Sequence, residues 1–367
     1  MNKLKDYGLT DKIETEYIEN TEANGSSRGT EEVIGRIIKD FGRSWLVITE
    51  NGELKAEISG KLRHEGGRPA IGDWLALRQV ETDKAVVTSI LSRKSKISRN
   101  SAGNETTEQI MAANVDLVFI VFGLEGGRQF SQGAVERYVT LGWNSEAIPC
   151  LILNKMDLAA PDNIVSAMNM AEEAAPGVNL ILTSCETMEG IDQVKGMFSP
   201  GKTCVVIGPS GVGKSSIINA LVGDEKMKTG DIREKEKKGS HTTTHRELIL
   251  LPEGGCMIDT PGLRELQLWA DDEALGKTFS DIEEIASECR FNDCSHQGEP
   301  GCAVQAALAE GLLTHRRYEN YLDLQRELAY LNRKTDFQAR KEETDKWKQI
   351  HKTMKDFYSK NGGKRTG

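Results

Sequence analysis

Between residues 32 and 98 apolar and polar positions alternate in short runs: EVIGRIIKDFG, SWLVITENGELKAEIS, DWLALRQVE and KAVVTSILSRKS. Glycine, Asn-Gly and Asp separate the runs, and the two-residue period predicts four or five short strands. A segment of this length suits a small closed barrel, for which an all-β OB-fold is the commonest solution. From about residue 110 the pattern changes. Continuous apolar runs (VDLVFIVFGL, IPCLILNKMDL, VNLILTSC, KTCVVIG) alternate with stretches of helical period such as GAVERYVTLGWNS and NIVSAMNMAEEAA. Buried strands alternating with amphipathic helices predict an α/β domain, a parallel sheet with helices on both faces. HRELILLPEGGCMIDTPG adds a hairpin-like pair. After Trp269 the helical period prevails, broken by a Cys/His-rich stretch and followed by a long charged segment.

The expected organisation is multidomain. Residues 1–31 are polar and acidic and are predicted to be a flexible N-terminal extension. The barrel covers 32–98, the central α/β domain 108–270, a mainly α metal-binding domain 271–335, and a basic C-terminal helix or tail 336–367.

Composition narrows the class. Hydrophobic content of 38% and charged content of 28% describe a soluble globular chain of 367 residues. The first residues have no apolar core of signal-peptide type, and the longest apolar stretch is too short to span a bilayer. Seven cysteines, mostly inside apolar runs, fit reduced thiols and a cytoplasmic location better than a disulfide framework. The net charge of −9 argues against a simple cationic nucleic-acid binder. It is unevenly spread: residues 315–367 hold 14 basic against 8 acidic side chains, which leaves a solvated helix and an RNA contact surface both open. No dimerisation signal stands out, and monomer is the default.

GPSGVGKS, Gly208 to Ser215, fits the phosphate-loop pattern in full. It follows the apolar TCVVI and opens the helical SSIINALVG, which is the context the pattern requires. Glycines let backbone N–H groups converge on phosphate oxygens, and the helix amino terminus adds its positive end. Gly208, Pro209, Ser210, Gly211, Val212, Gly213, Lys214, Ser215 and Ser216 are therefore candidate phosphate contacts. Lys214 is expected to reach the β- and γ-phosphates and Ser215 to ligate Mg²⁺. In MIDTPGLREL, Asp259 ends an apolar strand, where it can hold Mg²⁺ through water. Gly262 can present its N–H to the γ-phosphate. Between these motifs, KKGSHTTTHREL can offer a threonine hydroxyl to the metal, with Thr243 the candidate and Thr242 the alternative.

Asn154-Lys155-Met156-Asp157 lies at the end of the strand PCLIL, where open parallel sheets bind ligands. The Asp157 carboxylate can accept from both N–H groups of guanine's Watson–Crick edge. Adenine lacks that pair and would leave a buried carboxylate unsatisfied, at roughly 1–3 kcal/mol. Asn154 and the stem of Lys155 would brace the loop and ring. In LILTSCETMEGI, Thr183-Ser184-Cys185 lie at the end of another strand, where backbone N–H groups, those of Ser184 and Cys185 above all, can meet guanine O6. The base reader precedes the phosphate loop, Asn154 coming 54 residues before Gly208. Such an order implies a circularly permuted GTP-binding domain, since a fold needs its strands in place and not in sequence.

ECRFNDCSHQGEPGCAV carries Cys289, Cys294, His296 and Cys302. Three thiolates and an imidazole make a closed tetrahedral set suited to one structural Zn²⁺, with no position open to water.

Together PAIGDWLAL, ILSRKSKISR, AANVDLVFIV, NKMD, GPSGVGKSS, HTTTHREL, DTPGLREL and the Cys/Cys/His/Cys spacing resemble the circularly permuted GTPases of bacterial small-subunit assembly, the RsgA/YjeQ family. The likeness covers about residues 32–335. It implies an OB-fold, a permuted GTPase centre and a zinc domain docking on the small ribosomal subunit and its rRNA late in maturation. It also implies weak GTP hydrolysis that the subunit stimulates. Leu263 follows Gly262, where Ras-like enzymes carry a water-orienting glutamine. Leucine cannot orient water, so a partner-completed site is expected. From the resemblance His241 is the candidate catalytic imidazole beside Thr243 and Gly262, with His245 as the alternative. Two other classes stay open from the residues alone: an RNA-binding module with a structural nucleotide, and a GTP-dependent regulator of a non-ribosomal partner.

Overall fold

The computed structural model describes residues 3–23, 32–100, 108–125, 130–223, 246–259, 272–334 and 337. The barrel forms from β1 (Glu32–Asp40), β2 (Trp45–Thr49), β3 (Gly52–Ile58), β4 (Trp74–Glu81) and β5 (Lys84–Ile90). β1 pairs antiparallel with β2 and β2 with β3; β3 runs parallel to β5, β5 pairs with β4, and β4 returns to β1. The closed ring leaves no free edge and has the OB-fold order, with α1 of the barrel itself a short helix, Gly60–His64, between β3 and β4. Alternation explains it. Val47, Leu54, Ala56, Leu75, Leu77, Ala85 and Val87 point inward and are buried, while polar neighbours face out.

The predicted flexible extension is in part ordered. Lys3–Asp6 and Asp11–Ala23 are helical, and Leu4 and Leu9 are buried. Composition alone obscured this: besides the two buried leucines, Tyr7, Ile13 and Tyr17 pack against the same core. The seam is held by Arg36 of β1, which is buried. Its guanidinium donates to the carbonyls of Gly72, Asn114 and Tyr7 and to Thr203 Oγ1, and lies over the Trp74 ring. Barrel, N-terminal segment and α/β domain thus share one hub. A ribbon of β6 (Lys96–Asn100) and β7 (Glu108–Ala113) then leads onward, so strand structure passes the expected boundary at 98.

The α/β domain holds β8 (Leu117–Gly123), β9 (Ile148–Asn154), β10 (Asn179–Leu182), β11 (Thr203–Ile207), β12 (Arg246–Leu250) and β13 (Cys256–Asp259). Their order is β10-β9-β8-β11-β13-β12, all parallel except β12, which forms a hairpin with β13. β12 also pairs with β1 at Asp40 and Lys39, joining this sheet to the barrel. Alternate residues of β8 serve opposite faces. Val118, Ile120 and Phe122 share a core with helices Gln132–Asn144 and Pro161–Ala174. Leu117, Phe119 and Val121 share another with helices Ile191–Gly196 and Lys214–Val222. That two-sided burial is why the strands read as continuous apolar runs.

The C-terminal part is helical, as predicted: Asp272–Thr278, Ser280–Ser287, Ala303–Glu310 and a helix over 315–334. Arg317 fastens it to the α/β domain. Its guanidinium bonds Asp281 at 2.7 Å twice, Glu136 at 3.0 Å, and the carbonyls of Thr278 and Ala174. Among the described residues no helix is long and apolar enough to cross a membrane.

Candidate nucleotide site and metal centre

The carboxyl ends of β8, β9, β10, β11 and β13 lie along one edge of the sheet, because those five strands are parallel and neighbouring. Gly123 pairs with Asn154, and Leu153 with Leu182. Topology therefore brings the base-reader loop, the Thr183–Cys185 loop, the phosphate loop and Asp259 to one side. Asp259 lies one residue past the Val205–Ile258 pair, beside the start of the phosphate loop.

The phosphate loop runs from β11 into the helix Lys214–Val222, whose Ile217, Ile218 and Leu221 are buried against the sheet. Gly208 and Gly213 have φ of 140° and 96°, which L side chains rarely adopt. Space forbids a side chain as well. A Cβ at Gly208 would lie 2.2 Å from the Val121 carbonyl oxygen, and one at Gly213 would lie 2.2 Å from Asn154 Nδ2. Ser210, Gly211, Ser215 and Ser216 are exposed, with Pro209 and Gly213 half-buried and Val212 buried beneath them. Lys214 Nζ donates to the carbonyls of Gly208, at 2.8 Å, and Pro209, so its ammonium lies over the loop.

Base reader and phosphate loop touch. Asn154 is buried, and its Nδ2 donates to the Val212 carbonyl at 3.0 Å. Its Oδ1 accepts from Thr183 Oγ1 at 3.0 Å. Lys155 has left-handed backbone (φ 63°), and its Nζ donates to the Gly211 carbonyl at 2.7 Å. These bonds explain how Asn-Lys can brace a loop that follows them in the chain: Asn154 is the joint between three loops. Asp157 is exposed at the rim. Cys185 is half-buried, its Sγ 3.7 Å from Asn154 Oδ1. Burial and the nearby Asp157 charge push its thiol pKa up. Ser184 is buried, its hydroxyl accepting from the N–H groups of Glu186 and Thr187. The Thr183 and Ser184 N–H groups donate to Leu153 and Glu189. Ser184, one of the two residues expected to meet guanine O6, thus has its N–H engaged within the loop and its hydroxyl in the turn.

The second cluster is equally compact. Ligand atoms of Cys289, Cys294, His296 and Cys302 all lie within 4.8 Å of one another. Cys289 Sγ and Cys302 Sγ are 4.0 Å apart, and His296 Nδ1 is 3.6 and 3.5 Å from them. Tetrahedral Zn²⁺ with bonds of about 2.3 Å to sulfur and 2.0–2.1 Å to nitrogen sets edges of ~3.8 Å and ~3.6 Å. The donor set therefore fits one zinc ion. Local backbone supports it: His296 is left-handed (φ 57°), turning its ring inward, and Cys302 caps the helix Ala303–Glu310 through Gln305 N–H. Three thiolates this close repel one another, and a divalent cation between them removes that cost.

The profile of the RsgA GTPase family matches residues 90–269. The small ribosomal subunit biogenesis GTPase RsgA 1 of Oceanobacillus iheyensis is 41% identical over 89% of this chain and 94% of its own length. The chain belongs to the RsgA GTPase family. RsgA 2 of Lactiplantibacillus plantarum, which carries the same description, is 38% identical over 98% of this chain and 99% of its own. YjeQ from Thermotoga maritima superposes with a TM-score of 0.62 at 27% identity, covering 82% of this chain and 99% of that one. YloQ, described as a circularly permuted GTPase, gives 0.61 at 27%. An ABC transporter profile also matches, over residues 191–362. That span holds the phosphate loop but leaves out Asn154–Asp157, so it carries no reading of the base.

RsgA membership settles the puzzle of motif order: the domain is permuted, with an N-terminal barrel and a Cys/His cluster that can bind zinc. GTP hydrolysis is the activity of the family. The candidate catalytic group, His241, Thr243 and Gly262, lies outside the described residues, as do Thr242, His245 and Leu263. Sequence reading missed Glu125, whose carboxylate meets Lys155 Nζ, and the Glu136–Arg317–Asp281 network. Neither has a motif, and each pairs groups distant in sequence.

Proposed function

We propose that this protein is a GTP hydrolase of small ribosomal subunit maturation, a late-stage checkpoint factor whose turnover the subunit stimulates. The reading rests on one observation above the others: Asn154 and Lys155 bond the carbonyls of Val212 and Gly211, so base reader and phosphate loop build a single site. Asp157 would take guanine's paired N–H groups, and Cys185 N–H its O6. N–H groups of 208–216 would cradle the phosphates, and Lys214 would exchange loop carbonyls for phosphate oxygens. Mg²⁺, held by Ser215 and Thr243 with Asp259 behind water, would neutralise the phosphate charge that builds up during hydrolysis. Gly262 N–H would sense the γ-phosphate, and His241 is the candidate to orient water once the subunit is bound. One zinc ion at Cys289, Cys294, His296 and Cys302 would fix the helical domain that follows, and so pass movement near Gly262 toward the C-terminus. A monomeric cytoplasmic factor with GTP, GDP and rRNA as partners fits this reading.

The test compares GTP turnover with and without isolated small subunits, and co-sedimentation with them under a non-hydrolysable GTP analogue against GDP. Stimulated turnover with analogue-dependent binding is expected. Equal rates and nucleotide-independent binding would overturn it.

A further inference from the structure

Glu125 lies two residues beyond the end of β8. Because Gly123 at that end pairs with Asn154, the chain delivers Glu125 beside Lys155. Leu124 N–H donates to the Asn154 carbonyl at 2.9 Å, fixing the approach. Glu125 Oε1 sits 2.5 Å from Lys155 Nζ. The same ammonium reaches the Gly211 carbonyl at 2.7 Å. A seat for the carboxylate is built into the strand end: a Cβ at Gly123 would lie 2.1 Å from Glu125 Oε2, so a side chain there would displace it.

An acidic group in a site for a polyanion calls for a reason. Lys155 carries a mobile cation on a four-carbon stem, beside a loop read as the phosphate cradle. Left without a partner, that cation would be drawn to the phosphates, and its stem would leave the place where a purine ring packs. Glu125, delivered by the end of β8 beside Asn154, pulls it the other way. The two side chains are 34% and 28% exposed. A pair so placed contributes little to folding, whereas a bound purine would cover it and raise its worth.

We propose that Glu125 is a positioning residue for guanine nucleotides, holding Lys155 on the purine side of the site; this rests on reading 154–157 and 208–216 as one GTP site. Its effect belongs to binding, through Lys155, for GDP and GTP alike. Base selectivity stays with Asp157.

Calorimetric titration of GDP and a GTP analogue into the full-length protein tests this, using Glu125→Gln, Gly123→Ala, Lys155→Met and the double variant Glu125→Gln/Lys155→Met. Glu125→Gln and Gly123→Ala should each weaken both nucleotides roughly three- to fivefold, the upper part of the range expected of one ion pair of this exposure. Thermal unfolding should not move. In the Lys155→Met background Glu125→Gln should have no further effect. The proposal fails if Glu125→Gln binds within about twofold of wild type, or if its loss recurs undiminished without Lys155. Should Glu125→Gln not fold, Gly123→Ala decides by the same criterion. Wild-type protein that binds no guanine nucleotide would overturn the site itself, a different result from normal wild-type binding with an unaffected variant.

Discussion

Glu136 offers a quantitative check on how the helical domain is fastened. It lies fully buried in the helix Gln132–Asn144, accepting from Gln132 Nε2 and Arg317 Nη1 at 3.0 Å each. Arg317 is shared with Asp281, which it meets through two bonds of 2.7 Å. Burial raises the Glu136 pKa from 4.5 to about 6; the opposing pull of Arg317, Asn320 and Gln132 does not offset it. The folded state thus prefers the neutral acid. Its stabilising contribution is fully present below about pH 4.5 and is lost as pH rises through about 6. The complete loss is about 2 kcal/mol, roughly 1.2 kcal/mol of it between pH 5 and pH 8. Glu136→Gln mimics the neutral form at every pH. Urea unfolding of both proteins, followed by circular dichroism, should show the variant gaining on wild type by about that 1.2 kcal/mol between pH 5 and pH 8. A difference independent of pH, or one that runs the other way, would mean that Arg317 outweighs burial and would refute the reasoning.

Other expectations concern the two sites. Asp157→Asn should exchange guanine for xanthine preference, with GTP binding weakened by roughly 1–3 kcal/mol, about 5- to 150-fold, in competition titrations. Gly213→Ala should abolish nucleotide binding, since its Cβ would strike Asn154 Nδ2 and φ is left-handed there; unchanged affinity in the same titration would contradict the joint at Asn154. Lys214→Ala should remove GTP turnover, measured by phosphate release, while far-ultraviolet dichroism stays as in wild type. Cys294→Ser should lower zinc content, measured by metal analysis, from one per chain and lower the unfolding temperature of the helical domain, because folding and metal binding there are one equilibrium.

Much of the molecule could be read before any coordinates. Alternation gave the barrel strands, and two-sided apolar runs gave the parallel sheet. Gly208–Ser215 and Asn154–Asp157 marked the chain as a GTPase of the RsgA family, since such chemistry needs fixed residue types at short spacings. Cys289, Cys294, His296 and Cys302 likewise fall within 14 positions of one another. Local spacing carries local chemistry. What the chain could not disclose depends on which strand lies beside which. The pairing of Gly123 with Asn154 puts Glu125 on Lys155. The return of β4 to β1 closes the barrel. A seam at Arg36 turns a polar, acidic lead into docked helices anchored by Leu4 and Leu9. Arg317 meets Glu136 across 181 positions. Such contacts leave no periodicity behind, because burial and ion pairing act through space, and only the folded chain assigns their partners.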